Sequence, residues 1–215
     1  MKHFITFLLL LNVYLMNAQN LPATSIVSES GFIASKDLGE NAISGSFLLS
    51  DDWVTDAVVY TNDNKTYKPD FINFNVKLNT FIIKIAEDSL FTFDKTKVKS
   101  VQFNSKSFEI INDKYYENLS KGKLNMYKAY YLNLQKGSID PISKSKITED
   151  KYVIKSKYFL KEKENLKELK LSKKNILKLC EKEKVSVIKK FIKENDLSIK
   201  KDKDLKKILA YYNSL

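Results

Sequence analysis

The sequence predicts an α+β fold: an antiparallel meander, curled sheet or small barrel, with a C-terminal cap of two to three short helices. Between Trp53 and Leu171, short apolar runs recur at intervals of roughly ten residues with turn residues between them. The gaps leave no room for the helical crossovers that parallel strands require. After Ser172 the apolar period changes from two to about 3.6, the helical value. The composition agrees: 215 residues, 43% apolar and 12% aromatic, supply one domain-sized core, while five Gly, three Pro and one Cys exclude collagen-like and disulfide-scaffold chains.

At the start, Lys2 and His3 precede an apolar run over residues 4–16, and the small Ala18 follows. This is the pattern of a secretory signal peptide over residues 1–18, too short for a bilayer span of about 20 residues. A buried N-terminal helix is the alternative. The mature chain is expected to begin near Gln19 and to be exported, hence periplasmic, envelope-associated or extracellular. No later segment has transmembrane length. Residues 19–50 are Ser-rich and hold Gly31, Gly39 and Gly45, which suits an extended N-terminal segment.

The antiparallel β domain is expected over residues 51–171. Residues 57–61 form a β-branched and aromatic run that ends on the turn Asn62, Asp63, Asn64. Residues 71–78 alternate, 81–85 follow, Glu87 and Asp88 mark a turn, and 90–93 resume. Runs at 98–103 and 108–111 are separated by Asn104, Ser105 and Lys106, and residues 123–133 alternate again. Residues 135–149, with Gly137 and Pro141, read as a loop. Residues 152–160 and 166–171 form a last hairpin. The Lys-rich helical cap covers 172–215: Ser172 suits an N-cap, and stripes follow at Ile176/Leu177/Leu179/Cys180, Val185/Ile188/Phe191/Ile192 and Leu205/Ile208/Leu209/Tyr212.

The chemistry is bounded by what is scarce. All 37 basic residues are Lys, the only His is His3, and the only Cys is Cys180. A mature chain without His excludes Ser-His-Asp and Cys-His nucleophiles and His-ligated zinc. Cys180 lies on an apolar helical stripe and suits a small buried hydrophobe. The acids Asp51, Asp52, Asp63, Glu87 and Asp88 sit at expected turns without calcium-loop spacing. Ser-x-x-Lys occurs four times (from Ser120, Ser143, Ser186 and Ser198), as often as the Ser and Lys content produces by chance. No catalytic residue, metal site or cofactor is predicted.

Charge is unevenly placed. Residues 1–149 hold 17 Lys and 16 acids; residues 150–215 hold 20 Lys and 10 acids. Such a region suits a protein or anionic surface partner, with a solvated Lys face as the plain alternative. Nucleic acid is disfavoured because Arg, the bidentate phosphate and guanine reader, is missing. Candidate binding residues are Lys173, Lys174, Lys189 and Lys190 in the cap, and Trp53 beside Asp51 and Asp52.

Residues 45–60 (GSFLLSDDWVTDAVVY), 116–127 (YENLSKGKLNMY), the tract LKLSKKNILKL and the tail KKFIKENDLSIKKDKDLKKILAYYNSL resemble an uncharacterised family of small exported bacterial proteins. That resemblance implies export and a β domain with Lys-rich C-terminal helices, with no activity attached. The sequence therefore leads to an exported, non-enzymatic module that binds a macromolecular partner or supports an envelope assembly. The alternatives are a carboxylate-dependent hydrolase, favoured by a concave acidic pocket around the named acids, or a binder of anionic polymer or membrane surface through the Lys-rich region.

Overall fold

The structure, a computed structural model, describes residues 20–21, 31–35, 43–86 and 89–215. The signal peptide expected over 1–18 and the turn expected at Glu87 and Asp88 lie outside the described residues. The described residues form thirteen strands: β1 (Asn20–Leu21), β2 (Gly31–Ser35), β3 (Val58–Thr61), β4 (Thr66–Tyr67), β5 (Ile72–Asn75), β6 (Thr80–Ala86), β7 (Ser89–Phe93), β8 (Val98–Phe103), β9 (Lys106–Ile111), β10 (Lys114–Ser120), β11 (Met126–Gln135), β12 (Lys151–Glu162) and β13 (Asn165–Leu169). Three helices follow, α1 (Lys173–Leu179), α2 (Val185–Glu194) and α3 (Asp202–Ser214), with a 3₁₀ turn before α2. The fold is α+β and mostly antiparallel.

Nine strands form an open sheet in the order β1-β4-β3-β8-β9-β10-β11-β12-β13, and four form a second sheet, β2-β7-β6-β5. The large sheet does not curl into a barrel. Among the described strands only β1 and β4 pair in parallel, and Ser44 makes an isolated parallel bridge to Lys151. The extended stretch before residue 51 supplies β1 to the large sheet and β2 to the small one. The hairpins β8–β9 and β9–β10 turn on Asn104–Ser105 and Asn112–Asp113, all four at positive φ, which Asn and Asp tolerate in two-residue turns.

Strand residues i, i+2 and i+4 share a face, so Tyr115, Glu117 and Leu119 of β10 point to one side. Tyr115 belongs to an aromatic cluster between the sheets, with Phe74, Phe81, Phe91, Phe103 and Phe108. Leu119 belongs to a second cluster, built with Met126, Leu160, Ile176, Ile188 and the α3 stripe. The small sheet and the helices therefore sit side by side on one face of the large sheet, with Glu117 between them.

Two strand expectations are corrected. Residues 76–79 form a turn instead of extending the 71–78 strand: the Leu78 N–H donates to Asn75 Oδ1 at 3.0 Å, and Asn79 has φ 49°. Residues 114–120 form a full strand that the sequence reading did not separate, because Glu117 occupies an inward position where an apolar residue is expected. The helical expectations hold. The Asn175 N–H donates to Ser172 Oγ at 3.1 Å, and Leu205, Ile208, Leu209 and Tyr212 are all buried.

Candidate functional site

The sequence-selected residues fall into two places. Asp51, Asp52 and Trp53 lie in a bend along the outer edge of β5, with both carboxylates exposed and Trp53 half-buried. Asn73 holds this bend: its Nδ2 donates to Ser50 O at 2.8 Å and Asp52 O at 3.2 Å, and its Oδ1 accepts from Ser50 N–H. The bend is therefore held through backbone groups by Asn73, and the two carboxylates point to solvent. Asp63 lines a cleft of about 430 Å³ with Lys65 and Lys97, so that cleft is not acidic. Among the described residues no group of three or more His, Cys, Asp or Glu could hold a metal.

Lys173 and Lys174 open α1, while Lys189 and Lys190 lie on the solvent side of α2; all four are exposed. Lys190 meets Glu194 at 3.7 Å, and Lys173, Lys174 and Lys189 have no carboxylate partner among the described residues. The apolar stripes behind them are fully engaged, with Ile176, Ile188 and Ile192 buried. The first turn of α1 carries two Lys and no acid, an arrangement opposed to the helix dipole by about 0.3–1 kcal/mol per charge. Helix stability does not explain that choice.

Sequence reasoning missed a buried polar seam that fixes this unit to the sheet. The register carries one row across five strands: Phe108, Glu117, Lys128, Tyr158, Leu169. Glu117, 0% exposed, accepts from the Tyr130 hydroxyl and pairs with Lys206 Nζ of α3 at 2.8 Å. Lys128 is bonded to Asp202 at the start of α3, and the Tyr158 hydroxyl donates to the same carboxylate at 3.0 Å. The ammonium of Lys128 also lies 4.9 Å from the Tyr130 ring centroid, and that of Lys106 lies 5.4 Å from it. Asn213, near the end of α3, accepts from Leu124 N–H at 2.9 Å and donates to Lys121 O at 3.1 Å, clamping the β10–β11 turn. Gly122 permits that close approach, since a Cβ there would come within 2.9 Å of Asn213.

The electrostatics follow from burial and pairing. Burial and the Glu117 carboxylate push the Tyr130 phenol far up, and burial with Asp202 pushes Tyr158 up to about 12. Burial pulls Lys106 down, partly offset by Glu117. Asp202 is pushed up by burial, but its bonds from Lys128 and Tyr158 outweigh this and hold it below the ordinary 3.8. Each seam carboxylate thus has a lysine and a phenol as partners, which suits docking of α3 and leaves neither carboxylate free as a base.

A scan against protein-family models, a search of curated proteins and a search of solved structures return no match to this chain.

Proposed function

We propose that this chain is an exported, non-enzymatic binding module that meets a macromolecular partner with an acidic face through the exposed lysines of α1 and α2. The observation that carries this reading is the division of labour in the cap: apolar stripes inward, unpaired Lys173, Lys174 and Lys189 outward, two of them placed against the α1 dipole. The contact is electrostatic, so it weakens as salt rises and the Debye length shrinks to about 8 Å at physiological ionic strength. Export rests on the N-terminal pattern and on the resemblance given above.

The test is retention on immobilised heparin, used as a generic polyanion, followed by crosslinked pull-down from fractionated cells. Replacing Lys173, Lys174, Lys189 and Lys190 by Glu is expected to abolish retention and partner recovery without lowering the urea midpoint. Unchanged retention and recovery would remove these lysines from the reading.

A further inference from the structure

The β11–β12 hairpin ends in an ordered loop, residues 136–150, that displays three aliphatic side chains to solvent: Ile139 at 60%, Ile142 at 92% and Ile147 at 62% exposure. Their exposure is not a consequence of a loose backbone. Ile139 bridges Lys146, Asp140 N–H donates to Ser145 O at 2.8 Å, Lys144 N–H to Asp140 O at 2.9 Å, and Ile147 N–H to Ser138 O at 2.9 Å. Asp140 Oδ1 accepts from Ile142 and Ser143 N–H at 2.8 and 2.7 Å. A loop whose polar backbone groups are satisfied internally can leave water at little penalty.

The charges are arranged the same way. Asp150 is paired with Lys136 at 3.0 Å, Glu149 with Lys146 at 2.5 Å, and Asp140 with backbone N–H groups. Lys144, beside Ile142, and Lys151, at the base of the loop, have no carboxylate partner among the described residues. The tip thus presents apolar side chains with Glu149 and Asp150 paired to lysines, Asp140 held ionised by backbone N–H groups, and four lysines against three acids over residues 136–151. No aromatic or amide side chain lies between Lys136 and Asp150.

We propose that this tip is an anchor for an anionic bilayer surface: Ile139, Ile142 and Ile147 enter the boundary between headgroups and acyl chains while Lys144 and Lys151 meet lipid phosphates. This goes beyond the binding reading above and does not depend on it. The helical cluster covers Met126 and Leu160 at one end of the hairpin, and the tip lies past Gln135 and Lys151 at the other. At a strand rise of about 3.4 Å the ends are about 30 Å apart.

The chain from Gln19 onward, which holds every strand and helix described above, is sedimented with vesicles of phosphatidylcholine mixed with phosphatidylglycerol and with vesicles of phosphatidylcholine alone. Binding to the mixed vesicles is expected, and the triple variant Ile139→Ser/Ile142→Ser/Ile147→Ser is expected to lose at least about tenfold in affinity, or about 1.4 kcal/mol, with an unchanged urea midpoint. Vesicle binding that is lost in the variant with Glu at Lys173, Lys174, Lys189 and Lys190 but kept in the triple variant assigns the surface to the helical lysines and overturns the proposal. Wild-type protein that stays in the supernatant, or a triple variant that pellets like wild type, overturns the proposal. So does a wild-type dimer that the triple variant dissolves, since the knob would then belong to a second copy of this chain.

Discussion

The two halves of the large sheet's inner face are closed in different ways. Under the small sheet the cluster is aromatic: Phe81 lies 4.9 Å from Phe74, 5.1 Å from Tyr115 and 5.2 Å from Phe108 between ring centroids, in tilted or edge-on pairs. Under the helices it is aliphatic, dominated by Leu and Ile at helical spacing. Two sheets about 10 Å apart leave a slab that flat rings fill well. A helix laid on a sheet offers a narrow stripe, which branched aliphatic side chains fill at i, i+3 and i+4. The halves differ in charge as well: the excess Lys lies on the solvent side of the helix-covered half. What separates them is Glu117, a charged residue between Tyr115 and Leu119 on the inward face of β10.

The sharpest way to break this contrast is to open the aromatic half. Phe81→Ala should destabilise the protein by about 3–5 kcal/mol in urea unfolding, because a ring that touches four others leaves a cavity the sheets cannot close. Leu209→Ala, in the helix-covered half, should cost about 2–5 kcal/mol by the same measurement, with α3 able to settle partly into the space. Glu117→Gln keeps the shape of the seam and removes its charge, leaving Lys206 with a weaker acceptor; a loss of about 1–3 kcal/mol is expected. If Glu117→Gln is neutral, the seam does not hold the two halves in register.

A smaller effect is set by acid. Asp202 is held below its ordinary value in the fold, so its contribution is fully present above the unfolded carboxylate value of about 3.9 and is lost as pH falls through the lower folded one. Unfolding measured from pH 5 downward should therefore steepen in the wild type, and Asp202→Asn should flatten that slope. The smallest effect is expected from Lys173→Glu/Lys174→Glu, within about 1 kcal/mol and toward greater stability, since acids suit a helix start. A clear destabilisation there would mean the two lysines belong to the packing and not to a free surface.

The parts of the fold held by local pattern were legible. The turn residues Asn104 and Ser105, the alternation through Tyr152, Ile154, Tyr158 and Leu160, and the stripe from Leu205 to Tyr212 each announce their element within a dozen residues. Residues 76–78 misled because their alternation fits a strand, while Asn75 and Asn79 close a turn that only side-chain bonding reveals. The seam was barely legible. Glu117 and Lys206 are 89 residues apart and Lys128 and Asp202 are 74 apart, and neither pair carries a motif. A single polar residue in an otherwise apolar inward row, as in Tyr115, Glu117, Leu119, is the one signal that pointed to it. Of the residues selected for binding, Asp51 and Asp52 lie exposed in a bend held by Asn73, and the cap lysines face solvent.

Cys180 closes α1 against the helix-covered cluster, buried, with its thiol donating to Ile176 O at 3.4 Å and its acidity weakened by that burial. As the chain's single sulfhydryl, it makes the protein its own reporter. A thiol-reactive dye can attach only when the helices lift from the sheet, so labelling rate measures the opening of that half alone. Partner occupancy on α1 and α2 should slow that clock, and the aromatic half can be perturbed without resetting it.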